Sequence, residues 1–177
     1  MRPMTLSQQR AFSLIEILIT LIITSIVFSI ATPSLSSAIQ SSKQTIHTNQ
    51  MIGALNYARN KAITSRRMVS LCAGSTSCNN ATQWEQQIII FIDTNQDGQF
   101  NQTDTLLNTL YLDEIYSWHW SNFRNQKHMS YKPDGTTHSL NGTFTLCMQH
   151  LPTRSIVINT SGRARIAAPT NANACTT

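Results

Sequence analysis

Arg163 and Arg165 stand two residues apart after a short apolar run, with Gly162 just before them. In an extended chain, residues two apart point the same way, so two guanidinium groups would share one face, and glycine would allow a turn or a close backbone approach. Paired guanidiniums at this spacing suit successive phosphates. Beyond Asp134 the only charges are Arg154, Arg163 and Arg165, and between Glu16 and Glu85 there is no acid, while Lys43, Arg59, Lys61, Arg66 and Arg67 fall there. Acid-free basic stretches suggest a polyanion or an acidic surface as partner, although for the first stretch the blander reading of a solvated basic face is preferred. Lys127, Lys132 and Arg154 are the further cations that could extend the patch around Gly162, Arg163 and Arg165.

A second constellation is Asp93, Asn95, Asp97, Asn101 and Asp104, which fall at positions 1, 3, 5, 9 and 12 of a loop with Gly98 at position 6. That is the ligand spacing of a calcium loop, although the twelfth residue is Asp rather than Glu. Asn-Gln-Asp-Gly is equally good hairpin chemistry, and the turn reading is preferred. Calcium is the one cofactor these residues suggest. The four cysteines, Cys72, Cys78, Cys147 and Cys175, form no Cys-x-x-Cys pair, which disfavours zinc and fits disulfides in an exported domain. Three pairings are open. Sequence proximity favours Cys72 with Cys78, and Cys147 with Cys175 would tie back the C-terminal tail. His47, His119, His128, His138 and His150 include no i, i+4 pair, and there is neither a Gly-x-Ser-x-Gly elbow nor a phosphate-binding glycine loop, so no catalytic set is legible.

The elements that carry these residues follow from hydropathy. The chain of 177 residues, 41% hydrophobic and 12% charged with a net charge of +5, has the length and composition of one globular domain rather than a disordered polyelectrolyte. Residues 1–11 are polar and carry Arg2 and Arg10; residues 12–32 are apolar. Twenty-one helical residues extend roughly 31 Å, enough to cross a bilayer core, and arginines ahead of the span put the N-terminus in the cytoplasm. Glu16 inside that span is expensive in lipid unless paired, which marks it as functional, its partner being the amino terminus of a neighbouring copy. Apolar residues then recur at three- or four-residue steps (Leu35, Ile39, Met51, Leu55, Ala58, Ala62), which predicts an amphipathic helix over 35–66 with Lys43, Arg59, Lys61 and Arg66 mostly facing solvent. From 67 the texture is that of antiparallel strands, expected at 68–72, 88–93, 106–112, 129–131, 144–148 and 155–159. Trp118, His119 and Trp120 alternate as a strand would, with the tryptophans in the core or at an interface. The expected fold class is α+β, a long N-terminal helix packed on a C-terminal antiparallel β-sheet domain.

Ala11-Phe12-Ser13-Leu14-Ile15-Glu16, with basic residues before it, an apolar helix after it and Pro33 at the far end, resembles the class III signal of type IV pilins and pseudopilins. The resemblance implies prepilin peptidase as a partner, cleavage between Ala11 and Phe12, N-methylation of Phe12, and a role for Glu16 in aligning subunits. Ala11 departs from the family's usual Gly. The order of Ser70-Leu71-Cys72, Trp84, the 90–98 loop, Lys132-Pro133-Asp134-Gly135, the run ending at Cys147 and Ser161-Gly162-Arg163-Ala164-Arg165 is similar to the GspH/FimT family of minor pilins and pseudopilins. The Gly-Arg-x-Arg signature most resembles that of FimT-type minor pilins of DNA uptake. The resemblance implies a type IV pilin-like fold, no enzymatic activity, and an inner-membrane protein with a periplasmic globular domain that enters a pilus or pseudopilus with other pilin subunits. It further implies non-specific binding of extracellular double-stranded DNA in natural transformation. The alternative is a structural subunit that primes or caps a type II secretion pseudopilus or a pilus without touching DNA.

Overall fold

The structure, a computed structural model, describes residues 13–137, 139–169 and 174–175. Ala11 and Phe12, the expected cleavage and methylation site, lie outside the described residues, as do His138 and tail positions 170–173 and 176–177. The chain divides into two units, Met1–Ser42 and Lys43–Thr177. One helix, α1 (Leu14–Ser65), passes through both and contains Pro33.

In the first unit α1 is apolar and exposed. An 18-residue window there has a mean hydropathy of 2.5, with none of it buried within the chain. Its hydroxyls fold back on the helix: Thr20 donates to the Ile17 carbonyl at 2.8 Å, Ser25 to Ile22 at 2.8 Å and Ser29 to Ile26 at 2.8 Å. Such bonds satisfy the polar groups that a hydrocarbon environment would otherwise leave bare. The apolar stripe expected from Leu35 and Ile39 is exposed at those two residues; burial starts at His47 and Thr48 and continues through Met51, Ala54, Leu55, Ala58 and Ala62. Only from there does the helix have sheet to pack on within its own unit.

The second unit sets that half of α1 against two antiparallel sheets. The first has the order β4 (Thr105–Tyr111), β3 (Gln87–Ile92), β1 (Val69–Ala73), β6 (His128–Tyr131); the second has β2 (Gln83–Trp84), β5 (Tyr116–Asn122), β7 (Gly142–Met148), β8 (Leu151–Ile158), β9 (Ala164–Ala167). Register explains the burial. Val69, Leu71 and Ala73 stand opposite Ile92, Ile90 and Ile88, and all face the core with Met51, Leu55 and Ala58 of α1. In the second sheet Trp118 and Trp120 stand opposite Leu146 and Phe144, and Phe144 opposite Ile156. Phe144 stacks on Trp120 with centroids 4.1 Å apart and meets Trp84 edge-on at 4.9 Å, so the tryptophans are core.

The disulfides Cys72–Cys78 and Cys147–Cys175 each cover an outer sheet face. Cys72 lies on the reverse of the first sheet with Ile89 and Phe91, roofed by Cys78 and Phe100. Cys147 lies on the reverse of the second sheet, and its bridge holds Ala174 and Cys175, both buried, against that face, where Thr145 and Ser155 are buried as well. A sheet that turns one face to the core and has part of its other face roofed gains burial that a chain of this size needs.

Candidate nucleic-acid interface

The two arginines sit at a hairpin between β8 and β9. Asn159 builds the turn: its side-chain oxygen accepts from the Arg163 N–H at 2.9 Å, and its carbonyl accepts from the Gly162 N–H at 2.9 Å. The Asn159 N–H reaches the Arg163 carbonyl at 3.3 Å, which carries the pairing one residue beyond β9. Ala164 pairs with buried Ile158 on the core side, so the alternation sends Arg163 and Arg165 outward, Arg165 opposite Val157. Both arginines are exposed, and among the described residues neither guanidinium has a carboxylate partner.

Gly162 does not serve as a contact surface. It is buried at φ +78°, and a Cβ there would run into the Gly135 carbonyl oxygen and come within 3.1 Å of the Tyr131 ring. The residue is a turn former that lets two loops meet, in keeping with the expected turn or close backbone approach, and it lies buried beneath the patch rather than on its surface. The loop it meets is Lys132-Pro133-Asp134-Gly135, closed by the Gly135 N–H on the Lys132 carbonyl at 2.8 Å and tied to the hairpin by the Thr137 N–H on the Thr160 carbonyl at 3.1 Å. Lys132 is thereby placed beside the arginine turn. So is Asp134, whose carboxyl is held below the usual range by bonds from the Thr136 hydroxyl and N–H.

Arg59 joins these loops to α1. Its Nε donates to the Gly135 carbonyl at 2.9 Å and its Nη2 to the Ser161 carbonyl at 3.3 Å. The sequence expectation of a solvent-facing solubility residue is therefore corrected: Arg59 is half-buried because it flanks the packed stripe, four residues after Leu55 and one after Ala58. That flanking position was the available signal. Burial pushes the Tyr131 hydroxyl, against the same turn, well above the ordinary tyrosine range, with the Arg59 charge opposing.

Two of the expected cations do not join the patch. Arg154 lies two residues before Ile156 on β8 and opposite buried Leu146, so it faces the helix side and lines a small cavity of about 70 Å³ with Thr48, Asn49 and Ile166. Lys127 precedes β6 while Lys132 follows it, which separates them by roughly 16 Å of strand. Lys127 instead bonds the Asn125 side chain at 3.2 Å. The patch reduces to Arg163, Arg165 and Lys132.

The 93–104 loop joins β3 to β4. Asp93 is buried, and its carboxylate accepts from the Ser70 hydroxyl at 2.7 Å, the Gly98 N–H at 2.9 Å and the Asp97 N–H at 3.2 Å. Asp104 accepts from the Thr94 and Asn101 N–H groups at 2.8 and 3.0 Å, and Asn95 bonds Asp97 at 2.7 Å. These oxygens close the loop on itself; among the described residues no group of three or more His, Cys, Asp or Glu is placed to hold a metal. His128 packs against Gly98, and burial lowers its pKa, with Asp93 and Asp97 pulling it part of the way back.

A family described as "Type II transport protein GspH" matches residues 47–162, and the "Prokaryotic N-terminal methylation motif" matches residues 6–32. The chain belongs to the GspH family of minor pilins and pseudopilins. Two crystal structures of the type IV minor pilin FimU of Pseudomonas aeruginosa PAO1 share its fold, at TM-scores of 0.54 and 0.56 and identities of 19% and 18%. Each covers 75% of this chain, which in turn covers 98% and 96% of them. The minor pseudopilin EpsH of the Vibrio cholerae type 2 secretion system is also similar (TM-score 0.48, 14% identity, 72% and 98% covered). No curated protein matches the chain. The protein is thus a structural subunit of the pilin class rather than an enzyme, with an apolar N-terminal helix and a processing motif that fit a membrane-anchored pilin assembling with pilin-type subunits into a pilus or pseudopilus.

Proposed function

We propose that this subunit is a minor type IV pilin that captures extracellular double-stranded DNA during natural transformation, with Arg163 and Arg165 as the phosphate contacts and Lys132 beside them. The observation that carries the reading is the exposure of both guanidiniums, without an acidic partner among the described residues, on a turn fastened to α1 by Arg59. An ion pair would have neutralised them; a rigid turn instead presents them at fixed spacing, which lowers the ordering cost of binding. Contacts to phosphates alone read no sequence, so binding is non-specific and salt-sensitive. A few contacts give weak affinity, which several copies on a fibre would raise by avidity.

The globular unit would lie on the periplasmic side of the inner membrane before assembly, because Arg2 and Arg10 precede the apolar span. Glu16, in the first turn of α1, would align the subunit by pairing with a neighbour's amino terminus. Glu16→Ala should still insert but fail to enter fibres, and normal incorporation would refute that role. The transformation reading is tested by replacing the chromosomal copy with the Arg163→Ala, Arg165→Ala double variant. Transformation should fall at least about ten-fold, by the loss of two charge-assisted contacts, with fibres still assembled. Undiminished transformation would leave the protein as an assembly subunit alone.

A further inference from the structure

Strand β4 is a free edge. It pairs with β3 and, among the described residues, with nothing on its other side. Its seven residues, Thr-Leu-Leu-Asn-Thr-Leu-Tyr, carry no charge and no proline, and Leu106 and Tyr111 are 48% and 65% exposed. Natural sheets guard such edges with lysine, proline or short length, because an open ladder is a template for another strand. The other edges are guarded: β2 has two residues, β9 has four and carries Arg165, and β6 is capped by a bridge from Tyr131 to Thr137.

A second, independent feature lies alongside. A groove of about 280 Å³ runs between β4 and α1, bordered by Gly53 and Tyr57 of the helix and by Ile90, Asn108 and Leu110 of the sheet. Gly53 is exposed in the middle of a helix, and a Cβ there would meet nothing within 4 Å. Glycine weakens a helix interior, and among the described residues no group occupies the room it leaves.

The charges around the edge choose the occupant. Asp104 precedes β4, and Asp113 and Glu114 follow it, so three of the chain's eight acids bracket one uncharged strand in a protein of net charge +5. Asp113 stands 3.4 Å from His47 Nε2 and is 57% exposed. Antiparallel pairing of β4 with a second copy would bring Asp104 of each copy toward Asp113 and Glu114 of the other, which is unfavourable. We infer that β4 and the groove beside Gly53 form the docking site for an extended strand of a different pilin-type subunit, uncharged along its length and carrying Lys or Arg at its ends. The incoming strand completes the open ladder, one of its side chains enters the groove over Gly53, and its basic ends meet Asp104 and the Asp113–Glu114 pair. This surface is separate from the arginine hairpin and stands or falls independently of DNA binding.

The test uses the full chain in nonionic detergent micelles and a labelled peptide, Lys-Lys-Thr-Val-Thr-Val-Thr-Val-Lys-Lys, followed by fluorescence anisotropy, with a Glu-ended peptide of the same core as control. The Lys-ended peptide should bind at least about ten-fold more tightly than the Glu-ended one, a preference that salt weakens. Leu106→Lys with Asn108→Lys, which places charge on exposed edge positions, should reduce binding by about ten-fold or more. Gly53→Leu should do the same while raising the melting temperature, since it fills the groove and strengthens the helix. In the wild-type chain, bound peptide should slow hydrogen exchange of the β4 amides, a readout that needs no variant. Equal binding of both peptides, unchanged binding by either variant, or β4 amides that exchange as fast with peptide as without would each overturn the proposal. So would concentration-dependent dimerisation that the same variants abolish, since it assigns the edge to a second copy.

Discussion

The Nε of Arg59 lies 2.9 Å from the carbonyl oxygen of Gly135, and through that bond α1 grips a turn 76 residues further along the chain. The same guanidinium reaches Ser161, so the helix holds both loops that flank buried Gly162. This clamp adds to the β8–β9 pairing and the Thr137–Thr160 bond in holding the hairpin that carries Arg163 and Arg165.

Arg59→Ala should therefore lower stability by about 1–2 kcal/mol, the range for losing charge-assisted bonds at a half-buried site. It should also weaken DNA binding without removing either phosphate contact. Denaturant melts and anisotropy titrations on the domain from Ser36 onward check both effects. A variant with wild-type stability and weaker binding would mean that Arg59 contacts DNA directly rather than positioning the hairpin.

Gly162 was visible in the sequence as a glycine allowing a turn or a close backbone approach, but its contact with Gly135 was not. Hydrophobic periodicity reports which face of an element is buried, and it found Met51, Leu55, Ala58 and Ala62 and six of the nine strands, while the alternation of Trp118, His119 and Trp120 marked a seventh, β5. It failed for β2 and β9 because strands of two and four residues give too little alternation to register. Arg154 was grouped with Arg163 and Arg165 by proximity in sequence, whereas strand alternation places it on the opposite face, beside Ile166 and Thr48. Apolar spacing alone could not locate where the stripe of α1 stops being covered, so Leu35 and Ile39 were grouped with Met51 although they are exposed. The cysteine pairs favoured from the sequence, Cys72 with Cys78 as near neighbours and Cys147 with Cys175 as a tie for the tail, are the ones present.

Breaking Cys147–Cys175 should destabilise the domain more than breaking Cys72–Cys78. The bridges span 28 and 6 residues, which the chain-entropy relation converts to about 3–4 and about 2 kcal/mol. Serine pairs at each bridge, compared by urea denaturation, would show the order. Greater loss from the shorter bridge would mean that the Phe100 roof over Phe91 matters more than the tail.

Stability should fall as pH drops below about 6.5. Burial lowers the pKa of His128, and burial followed by the Lys127 charge lowers that of His119. Between the ordinary histidine value and these depressed values the unfolded chain binds more protons than the folded one, so unfolding free energy rises with pH across that window and is fully present above it. Melting temperatures from pH 8 to 5 should decline toward acid, less so in His128→Gln. A melting temperature that climbs toward pH 5 would contradict the assignment.

Asp134 sits in the turn beside Gly162 and is the one acid built into the neighbourhood of the arginines. Its repulsion of phosphate should be relieved in Asp134→Asn, giving DNA affinity a few-fold higher at low salt, on the order of an exposed charge interaction. The gain should vanish at high salt. An affinity that falls instead would show that the bonds Asp134 accepts from Thr136 hold Lys132 and the hairpin in their binding geometry.

The most direct test of DNA capture is a salt series of double-stranded DNA binding, comparing wild type with Arg163→Ala, Arg165→Ala. Each phosphate contact contributes about 0.9 to the slope of log affinity against log salt, so the double variant should bind more weakly and its slope should be shallower by about two. Identical slopes and affinities in two well-folded proteins, or no binding by wild type even at low salt, would contradict the account.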